Sequence, residues 1–451
     1  MLIKISVENF KSFDKKEELS MLSSSKIQTN KSHRLKIKQT TLLKNAVVYG
    51  ANSSGKSNLV TAVAFIRNVL MEGLPVGSVN DFCRNNMKNK DRESVFEIQF
   101  TVGDTFYAYG FSAILSQRKI TEEWLFELMQ DGSAHNLFMR EGDKAPVLGE
   151  KVNPTTAEKN RFAVYSEDFA GHDTQLFLTE MNRGKKYTEN SKLKFFFQTF
   201  DWIMNNIVIN NPRIGISNTD TYFSAESLEN ISNLIKTFDT GVSDIKTRVI
   251  SVDEMGKMIP AEVLAGIFAH LKKQMQMTNL PQIQMTWRID EGFFNIRIKE
   301  NSELEITTLV LKHGKSVFDF NFAEESDGIK RLFDLIDMLM TKRQDMVFIV
   351  DELERSLHPK LTEHFLKLFM EAHIDSRMQL IFTTHEDTIM DQELFRRDEI
   401  WFVERDADNA SKIYSLDRFK ERYDKKLSKA YLDGRYGAIP VFRQFTFQKD
   451  R

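Results

Sequence analysis

Residues 50–57 bring together the residue types that can cradle a phosphate group. They read GANSSGKS, which satisfies the spacing G-x-x-x-x-G-K-[ST] after the apolar run "AVVY" and before an amphipathic stretch. In such a loop, backbone N–H groups point at phosphate oxygens, the lysine reaches the β- and γ-phosphates, and the last hydroxyl ligates Mg²⁺. The pattern predicts a triphosphate site with these contacts: Gly50, Asn52, Ser53, Ser54, Gly55, Lys56, Ser57 and Asn58.

A pair of carboxylates follows a second apolar run, "MVFIV". A buried strand that ends at Asp351 and Glu352 would deliver both side chains to a cleft. With a phosphate loop upstream, the pattern predicts that Asp351 holds Mg²⁺ through water and that Glu352 orients or deprotonates the attacking water. A solvated acidic turn is the alternative for the pair taken alone.

Further polar groups lie where neighbouring elements begin or end. The apolar run "QLIFTT" ends at His385, and strand ends on one sheet edge converge on one ligand site. Ser326 and Gly328 open a helical stretch about 25 residues before Asp351. A helix N-terminus can bind an anion, but serine is also an ordinary N-cap residue, so both interpretations stay open.

The elements that must position these groups predict an α/β protein. Period-two alternation in "LIKISVENF", "SVFEIQFTV" and "TFYAYGFSAI" indicates strands, the last two as antiparallel neighbours. In the last third of the chain, helical and strand patterns alternate, which is typical of a mostly parallel sheet flanked by helices. Amphipathic helical segments dominate the middle. We therefore predict an N-terminal lobe over 1–150, a mainly helical insertion over 151–282 and a C-terminal lobe over 283–451.

The composition is that of a folded protein without a strong electrostatic bias. The 451 residues carry a formal net charge of −2, so any basic contact surface must be local. Cys83 is the only cysteine, which excludes an intramolecular disulfide and a multi-cysteine zinc site and fits a reducing compartment. Because the first residues lack the apolar core of a signal peptide and no apolar run reaches membrane-spanning length, we expect a cytoplasmic protein with no membrane partner.

The order of these motifs resembles that of the ATP-binding-cassette (ABC) ATPases, and within them the SMC/RecF/OLD branch. "IKISVENFKSF" and "GANSSGKSNL" are similar to the opening of that branch, "ESDGIKR" resembles its degenerate signature, and "RSLHP" follows the carboxylate pair. The tail "AYLDGRYGAIPVF" resembles the ending of compact anti-phage defence ATPases, namely the PARIS ATPase subunit and AbiL-type abortive-infection ATPases. The resemblance implies a P-loop ABC-type head: a mixed sheet flanked by helices, with an antiparallel β subdomain and a helical insertion.

The resemblance also implies ATP and Mg²⁺ as cofactors and assigns roles to the matched residues. Lys56, Glu352 and His385 would be the catalytic set, with His385 as the γ-phosphate switch. Ser57 and Asp351 would hold Mg²⁺.

Other implied roles act between two copies of the chain or at a Q-loop. Ser326 and Gly328 would contact the γ-phosphate held by a neighbouring copy, and 356–358 would form the D-loop at the interface. A Q-loop glutamine is also implied as a metal ligand. The candidates are Gln99, Gln117 and Gln175. We favour Gln175, in "HDTQLFL".

Three functions are compatible with such an ATPase. In the first, heads sandwich ATP, and the homodimer or a higher homo-oligomer holds a separately encoded toxic effector, such as a nuclease, until a phage-encoded trigger arrives. The second is a DNA-processing or repair ATPase of the RecF/SMC type, in which the basic stretch 26–44 would bind DNA unless it is only a solvated strand edge. The third, disfavoured by the insertion and the degenerate signature, is a transporter's nucleotide-binding subunit. We predict the first, with slow and regulated ATP hydrolysis.

The tail has two interpretations. Arg435 could face a partner or a second copy of the chain. Alternatively, Tyr431, Tyr436 and Phe442 pack the tail on its own head, which is the interpretation we favour.

Overall fold

The computed structural model describes residues 1–210, 223–278, 283–289, 292–299, 303–419 and 426–440. By its contacts the chain divides into two units. Unit 1 consists of Met1–Asn211, Arg343–Leu353 and His373–Arg451. Unit 2 consists of Pro212–Lys342 and Glu354–Ala372.

Runs of strands dominate the first third of the described residues, and strands and helices alternate from β16 to β18. The strands are β1 (Leu2–Glu8), β2 (Glu17–Ser20), β3 (Arg34–Ile37), β4 (Thr40–Leu43), β5 (Asn45–Tyr49), β6 (Ser94–Val102), β7 (Thr105–Ile114), β8 (Lys119–Leu128), β9 (Ala134–Glu141), β10 (Val147–Leu148), β11 (Ile207–Asn210), β12 (Val242–Ile250), β13 (Ile283–Ile289), β14 (Gly292–Ile298), β15 (Leu304–His313), β16 (Phe320–Asn321), β17 (Val347–Val350), β18 (Gln379–Thr383), β19 (Ile400–Arg405) and β20 (Ser411–Ser415). The helices are α1 (Lys56–Glu72), α2 (Thr156–Phe169), α3 (Phe177–Asn182), α4 (Lys194–Asn205), α5 (Ala225–Lys236), α6 (Val252–Gly256), α7 (Ala261–Thr278), α8 (Asp327–Met340), α9 (Pro359–Ala372) and α10 (Leu427–Leu432).

The central sheet of unit 1 is parallel except at one edge. Its order is β11-β17-β18-β5-β19-β20, and only the last pairing, β19 with β20, is antiparallel. The strands β5, β17 and β18 are buried along their whole length. Continuous burial of short apolar runs is expected for parallel strands that are covered on both faces.

A second sheet of unit 1 is antiparallel, with the order β10-β9-β8-β7-β6-β1-β2. Its strand β6 alternates buried and half-buried residues, as a sheet packed on one face requires. One apolar core joins this sheet to α1 and to the central sheet, and it includes Phe96 of β6, Val63 of α1 and Ile349 of β17. Helix α1 is thereby held firmly, and its first two residues, Lys56 and Ser57, are the last two of the phosphate loop.

Unit 2 combines an antiparallel sheet with helices. The sheet has the order β12-β15-β14-β13, and β16 pairs with β15. Its core contains Ile235 of α5, Leu309 of β15 and Phe333 of α8. Helix α8, which begins at the predicted signature, is therefore anchored by apolar packing within this unit.

The predicted α/β class is confirmed, but the elements are distributed differently from the predicted lobes. The stretch 151–282 contains α2 to α7, and it also contains β11 and β12. Residues 151–211 belong to unit 1, where β11 pairs in parallel with β17 at the edge of the central sheet. The sequence prediction missed β11 because "IVIN" has only four residues and directly follows a strong helical pattern.

The tail packs on unit 1 itself. Tyr431 and Tyr436 are buried against Phe402 of β19, with ring centroids 5.6 and 5.7 Å away. Tyr414 donates a hydrogen bond to the Tyr436 carbonyl at 2.7 Å. Arg435 is exposed, and Phe442 lies outside the described residues. In the described part of the chain, no helix has both the length and the apolar character needed to cross a bilayer.

Candidate nucleotide site

The candidate site of unit 1 forms where four parallel strands end. Val350 lies opposite Asn210 on one side and Phe382 on the other, and Thr383 lies opposite Val48. Parallel strands present their carboxyl ends at the same sheet edge. The residues that follow β5, β17 and β18 are therefore neighbours, as the sequence predicted.

The loop between β5 and α1 requires glycine at two positions. Gly55 has φ +111°, and a Cβ added there would lie 2.2 Å from Ser411 Oγ and 2.6 Å from Ser12 Oγ. A Cβ on Gly50 would lie 2.3 Å from the Val403 carbonyl oxygen. Only glycine fits such close approaches, so the loop is packed tightly against the elements beneath it.

A group of hydroxyls from distant parts of the chain holds this loop. Ser411, at the start of β20, is hydrogen bonded to Ser12 Oγ at 2.7 Å and to the Ser54 carbonyl. Asn58 of α1 donates to Ser12 Oγ at 2.7 Å. Ser12 belongs to the N-terminal motif "NFKSF", so the motif at the start of the chain supports the phosphate loop. Sequence reasoning gave no role to Ser12 or Ser411, because their proximity depends on the tertiary fold.

The lysine and serine of the phosphate loop are both placed in the site. Lys56 is 5% exposed, and its Nζ donates to the carbonyl oxygens of Gly50 at 2.7 Å and Ala51 at 3.1 Å. Ser57 donates from Oγ to Asp351 Oδ1 at 3.2 Å. The predicted hydroxyl and the predicted carboxylate are thus in direct contact, although 294 positions separate them in the sequence.

Thr383, the last residue of β18, contacts both the Asp351 carboxylate and the Glu352 backbone. It is 1% exposed, donates from Oγ1 to Asp351 Oδ1 at 2.6 Å, and accepts the Glu352 N–H at 2.9 Å. The Leu353 N–H donates to the Thr383 carbonyl at 3.1 Å. Glu352 has φ +50°, a left-handed conformation that costs a glutamate on the order of 1 kcal/mol. Thr383 therefore fixes both the Asp351 side chain and the unusual backbone of Glu352.

His385 is exposed and comes two residues after Thr383. The intervening residue, Thr384, is fully buried, and its N–H donates to the Val48 carbonyl at 3.1 Å. The backbone before His385 is therefore fixed against the strand that leads into the phosphate loop. This placement at the shared edge agrees with the sequence prediction for His385, while its role toward a γ-phosphate remains a prediction.

Gln175 is not placed to ligate a metal in this site. The residue before it, Thr174, accepts the Leu74 N–H at 2.7 Å just beyond the end of α1. Ser57 lies at the opposite end of that 17-residue helix, about 24 Å away at the usual rise per residue. The preference for Gln175 is therefore wrong, because the fold carries "HDTQLFL" to the wrong end of α1.

The other glutamine candidates lie in or beside the antiparallel sheet, and the residue that ends β11 next to Asp351 is an asparagine. Gln99 lies in the antiparallel sheet and donates to Glu97 at 2.9 Å, and Gln117 precedes β8 of the same sheet. At the edge of the central sheet, the last residue of β11 is Asn210, whose carbonyl accepts the Asp351 N–H at 2.9 Å. Recognising β11 as a strand of the central sheet would have been the signal that pointed to Asn210.

Ser326 and Gly328 begin α8 in unit 2. Ser326 is exposed and accepts the Ile329 N–H at 3.3 Å, so it is the N-cap of the helix. A Cβ on Gly328 would lie 2.8 Å from the Ser356 carbonyl oxygen, and Ser356 has φ +61°. The predicted signature and the predicted D-loop are therefore packed together, and this contact is possible because residue 328 is glycine.

The residues of the unit 1 site fit a magnesium–triphosphate group. Ser54 Oγ is buried and has no hydrogen-bond partner among the described residues, as expected for a donor kept for a ligand. In the described part of the chain, no cluster of three His, Cys, Asp or Glu side chains could hold a metal ion. Mg²⁺ bound with a nucleotide needs no such cluster, because one carboxylate, a hydroxyl, waters and phosphate oxygens complete its octahedron.

We expect Thr383→Val to impair the site without unfolding the chain. The substitution keeps the shape but removes the hydroxyl that serves both Asp351 and Glu352. Losing a hydrogen bond to a charged group costs about 1.5–3 kcal/mol, which corresponds to a roughly ten- to hundredfold loss in kcat/KM for ATP. Steady-state kinetics of ATP hydrolysis would measure the loss in kcat/KM, and the melting temperature would show whether the variant is folded.

Thr308→Val is the matched control for that substitution. Thr308 is 5% exposed and donates to the Phe293 carbonyl at 2.9 Å inside unit 2. It should lose stability but keep the hydrolysis rate. Equal losses of kcat/KM in both variants would contradict the role assigned to Thr383.

Comparison with known proteins adds a family match over part of the chain. Residues 191–391 match the family described as "AAA domain, putative AbiEii toxin, Type IV TA system". A search of curated proteins found no match.

Solved structures of SMC heads are similar to this chain at low identity. An SmcHead bound to the C-winged helix domain of ScpA has 14% identity and a TM-score of 0.43, with 96% of this chain and 99% of that chain covered. The SMC head domain from Thermotoga maritima has 14% identity and a TM-score of 0.36, covering 92% and 98%. A Pyrococcus furiosus Smc head domain with an extended coiled coil, bound to the C-terminal domain of ScpA, has 13% identity and a TM-score of 0.36, covering 96% and 98%.

The family match includes both functional segments of the later part of the chain. Residues 191–391 contain Ser326 and Gly328 of the predicted signature, and also Asp351, Glu352 and His385. The match therefore covers the carboxylate side of the site, while the phosphate loop at 50–57 lies outside it. Together, the match and the site geometry support an ATPase.

Proposed function

We propose that the chain binds and slowly hydrolyses ATP with Mg²⁺. The observation that carries this proposal is the shared carboxylate: Asp351 accepts hydrogen bonds from Ser57 of the phosphate loop and from Thr383 of the neighbouring strand. Ser57 and Asp351 hold the Mg²⁺, which neutralises phosphate charge when bound. Lys56 exchanges its loop carbonyls for phosphate oxygens.

In the same proposal, Glu352 and His385 carry the chemistry. Glu352 orients or deprotonates the attacking water, and its backbone bond to Thr383 sets where its carboxylate is aimed. His385 contacts the γ-phosphate from the end of β18. Both residues follow strands of the rigid central sheet, so they need little rearrangement before the reaction.

We further propose that two copies of the chain complete each site. Ser326 is exposed at the start of α8, so it is available to a second chain, and Gly328 ties it to the D-loop residue Ser356. In a head-to-head dimer, Ser326 and Gly328 would contact the γ-phosphate bound by the other copy. ATP would then stabilise the closed dimer through contacts that exist only in that state, which is the condition for a ligand to shift an equilibrium.

The dimer is proposed to control a separately encoded toxic effector in anti-phage defence. Support comes from the family matched over residues 191–391, whose description names a toxin–antitoxin system, and from the tail similar to those of defence ATPases. In this proposal, the closed assembly holds the effector, and a phage-encoded trigger releases it.

A DNA-processing ATPase is the second candidate, and one observation favours it. Four lysines are exposed here: Lys26 and Lys31 on the segment that leads into the β3–β4 hairpin, and Lys36 and Lys38 in the hairpin itself. This segment is held firmly, since the buried Arg396 donates to the carbonyl oxygens of Thr29 and Ile27. If double-stranded DNA stimulated ATP hydrolysis at physiological salt, that result would favour a DNA-processing function over control of an effector.

Glu352→Gln tests the proposed reaction and assembly together. Glutamine keeps the shape but cannot take a proton, so we expect hydrolysis to fall at least hundredfold and the ATP-bound dimer to accumulate. Mass measurement in solution with and without ATP would detect the dimer, and phosphate release would measure hydrolysis. An unchanged oligomer together with undiminished turnover would refute the proposal.

Gly328→Ala tests the link between the signature and the D-loop. Its added Cβ would lie 2.8 Å from a backbone carbonyl, so the start of α8 or Ser356 must move. We expect the ATP-dependent dimer to weaken about tenfold or more, measured as the protein concentration at half-dimerisation. Gly266→Ala in α7 is the control, because a Cβ there meets nothing within 4 Å. If both variants dimerise like the unmodified chain, the contact has no part in assembly.

A further inference from the structure

A cavity of about 350 Å³ opens on the antiparallel sheet of unit 1, away from the phosphate loop. One wall is a row across three strands, in which Tyr107 lies opposite Glu127 and Glu127 lies opposite His135. The start of α4 and residues 151–153 form the other walls. The site proposed for ATP uses none of these residues.

The rim of this cavity is positively charged. Lys151, Lys192 and Lys194 line it, and within the described ranges none of the three has a carboxylate at ion-pair distance. Lys151 Nζ instead donates a hydrogen bond to His135 Nε2 at 2.6 Å. The one carboxylate on the cavity wall is that of Glu127. Three ammonium groups facing one carboxylate favour an anionic ligand.

The carboxylate of Glu158 near this rim does not neutralise the lysines. It accepts hydrogen bonds from the Ser191 hydroxyl at 2.7 Å and from the Lys192 backbone N–H at 3.0 Å. It also caps α2 through Thr155. Its oxygens therefore accept hydrogen bonds from the local backbone and hydroxyls, and Glu158 forms no ion pair with the three lysines.

The floor of the cavity is apolar and aromatic. Tyr107, Leu137 and Phe195 are 5%, 9% and 7% exposed. The Tyr107 hydroxyl donates to Gln198 Oε1 at 3.3 Å. Burial, with a smaller effect from Glu127, raises the pKa of Tyr107 to about 12, so this floor stays uncharged at neutral pH. A flat apolar body can pack on such a floor while a charged group reaches the rim.

We propose that this cavity is a second ligand site, which binds a small phosphorylated molecule with a flat body, such as a mononucleotide. The volume lies at the lower end of the range for small-molecule sites. Lys151, Lys192 and Lys194 bind the phosphate, and Tyr107 and Phe195 contact the flat body.

The cavity is connected to the ATP site through consecutive elements of unit 1. Lys194 is the first residue of α4, and α4 leads directly into β11. The last residue of β11, Asn210, accepts the Asp351 N–H at 2.9 Å. Along the way, Arg67 of α1 donates to the Met204 carbonyl at 2.9 Å. A ligand at the start of α4 would therefore contact the helix that leads into the strand beside Asp351.

Calorimetric titration of AMP tests the proposal in the full-length chain carrying Lys56→Ala. That substitution weakens phosphate binding in the ATP site, so the measured binding does not depend on hydrolysis or on the proposed function. We expect saturable AMP binding that becomes at least tenfold weaker when Lys192→Ser and Lys194→Ser are added. Lys257→Ser, at an exposed lysine of unit 2, is the matched control and should leave the Kd unchanged.

A second arm uses inorganic pyrophosphate in place of AMP. Weaker binding of pyrophosphate supports the contribution of the aromatic floor, and equal binding overturns the assignment to a molecule with a flat body. An AMP affinity that is identical with and without Lys192 and Lys194, or no AMP binding at millimolar concentration, overturns the site altogether. The melting temperature of each variant shows that the fold is retained.

Discussion

The carboxylate of Asp351 is the constraint on which the candidate site depends. It is only 6% exposed, and a charged group removed from water is unfavourable unless hydrogen-bond donors replace the water. Two of its donors come from separate elements, Ser57 at the start of α1 and Thr383 at the end of β18. Satisfying this one side chain therefore fixes the phosphate loop, the strand β17 and the strand β18 in a single arrangement.

A short segment also links the carboxylate pair to the residues proposed to act between chains. Glu352, with φ +50°, and Ser356, with φ +61°, are four positions apart, and the chain passes from unit 1 to unit 2 between them, after Leu353. Gly328 packs on the Ser356 carbonyl. A short, conformationally unusual segment thus carries both the proposed catalytic carboxylate and the residue that supports the signature helix.

Much of the site could be predicted because its signals are local. The phosphate loop, the apolar strand before Asp351 and the strand before His385 are each recognisable within about ten residues. The glycines of the loop are part of that local pattern, and the structure shows that a side chain at Gly50 or Gly55 would clash with neighbouring atoms. The α/β class followed from the alternation of patterns in the last third of the chain.

The missed features are non-local. Ser12, Ser54 and Ser411 meet only in the folded chain, and Thr383 has no sequence signal that separates it from any buried threonine. Gln175 was a candidate metal ligand by sequence, but it lies near the C-terminal end of α1, whereas Ser57 lies at the N-terminal end of the same helix. The four-residue strand β11, which ends at Asn210, was missed because it directly follows the strong helical pattern of α4.

The central claim is that a complete site needs two chains, and mixing two inactive variants tests it most directly. Chains carrying Lys56→Ala lack a working phosphate loop but keep the signature, and chains carrying Ser326→Arg lack the signature but keep the loop. In a mixed dimer, one of the two composite sites is intact, so the account predicts that mixing restores hydrolysis to a substantial fraction of the unmodified rate. Full activity of Ser326→Arg alone, or no restoration when mass measurement shows that mixed dimers form, would contradict it.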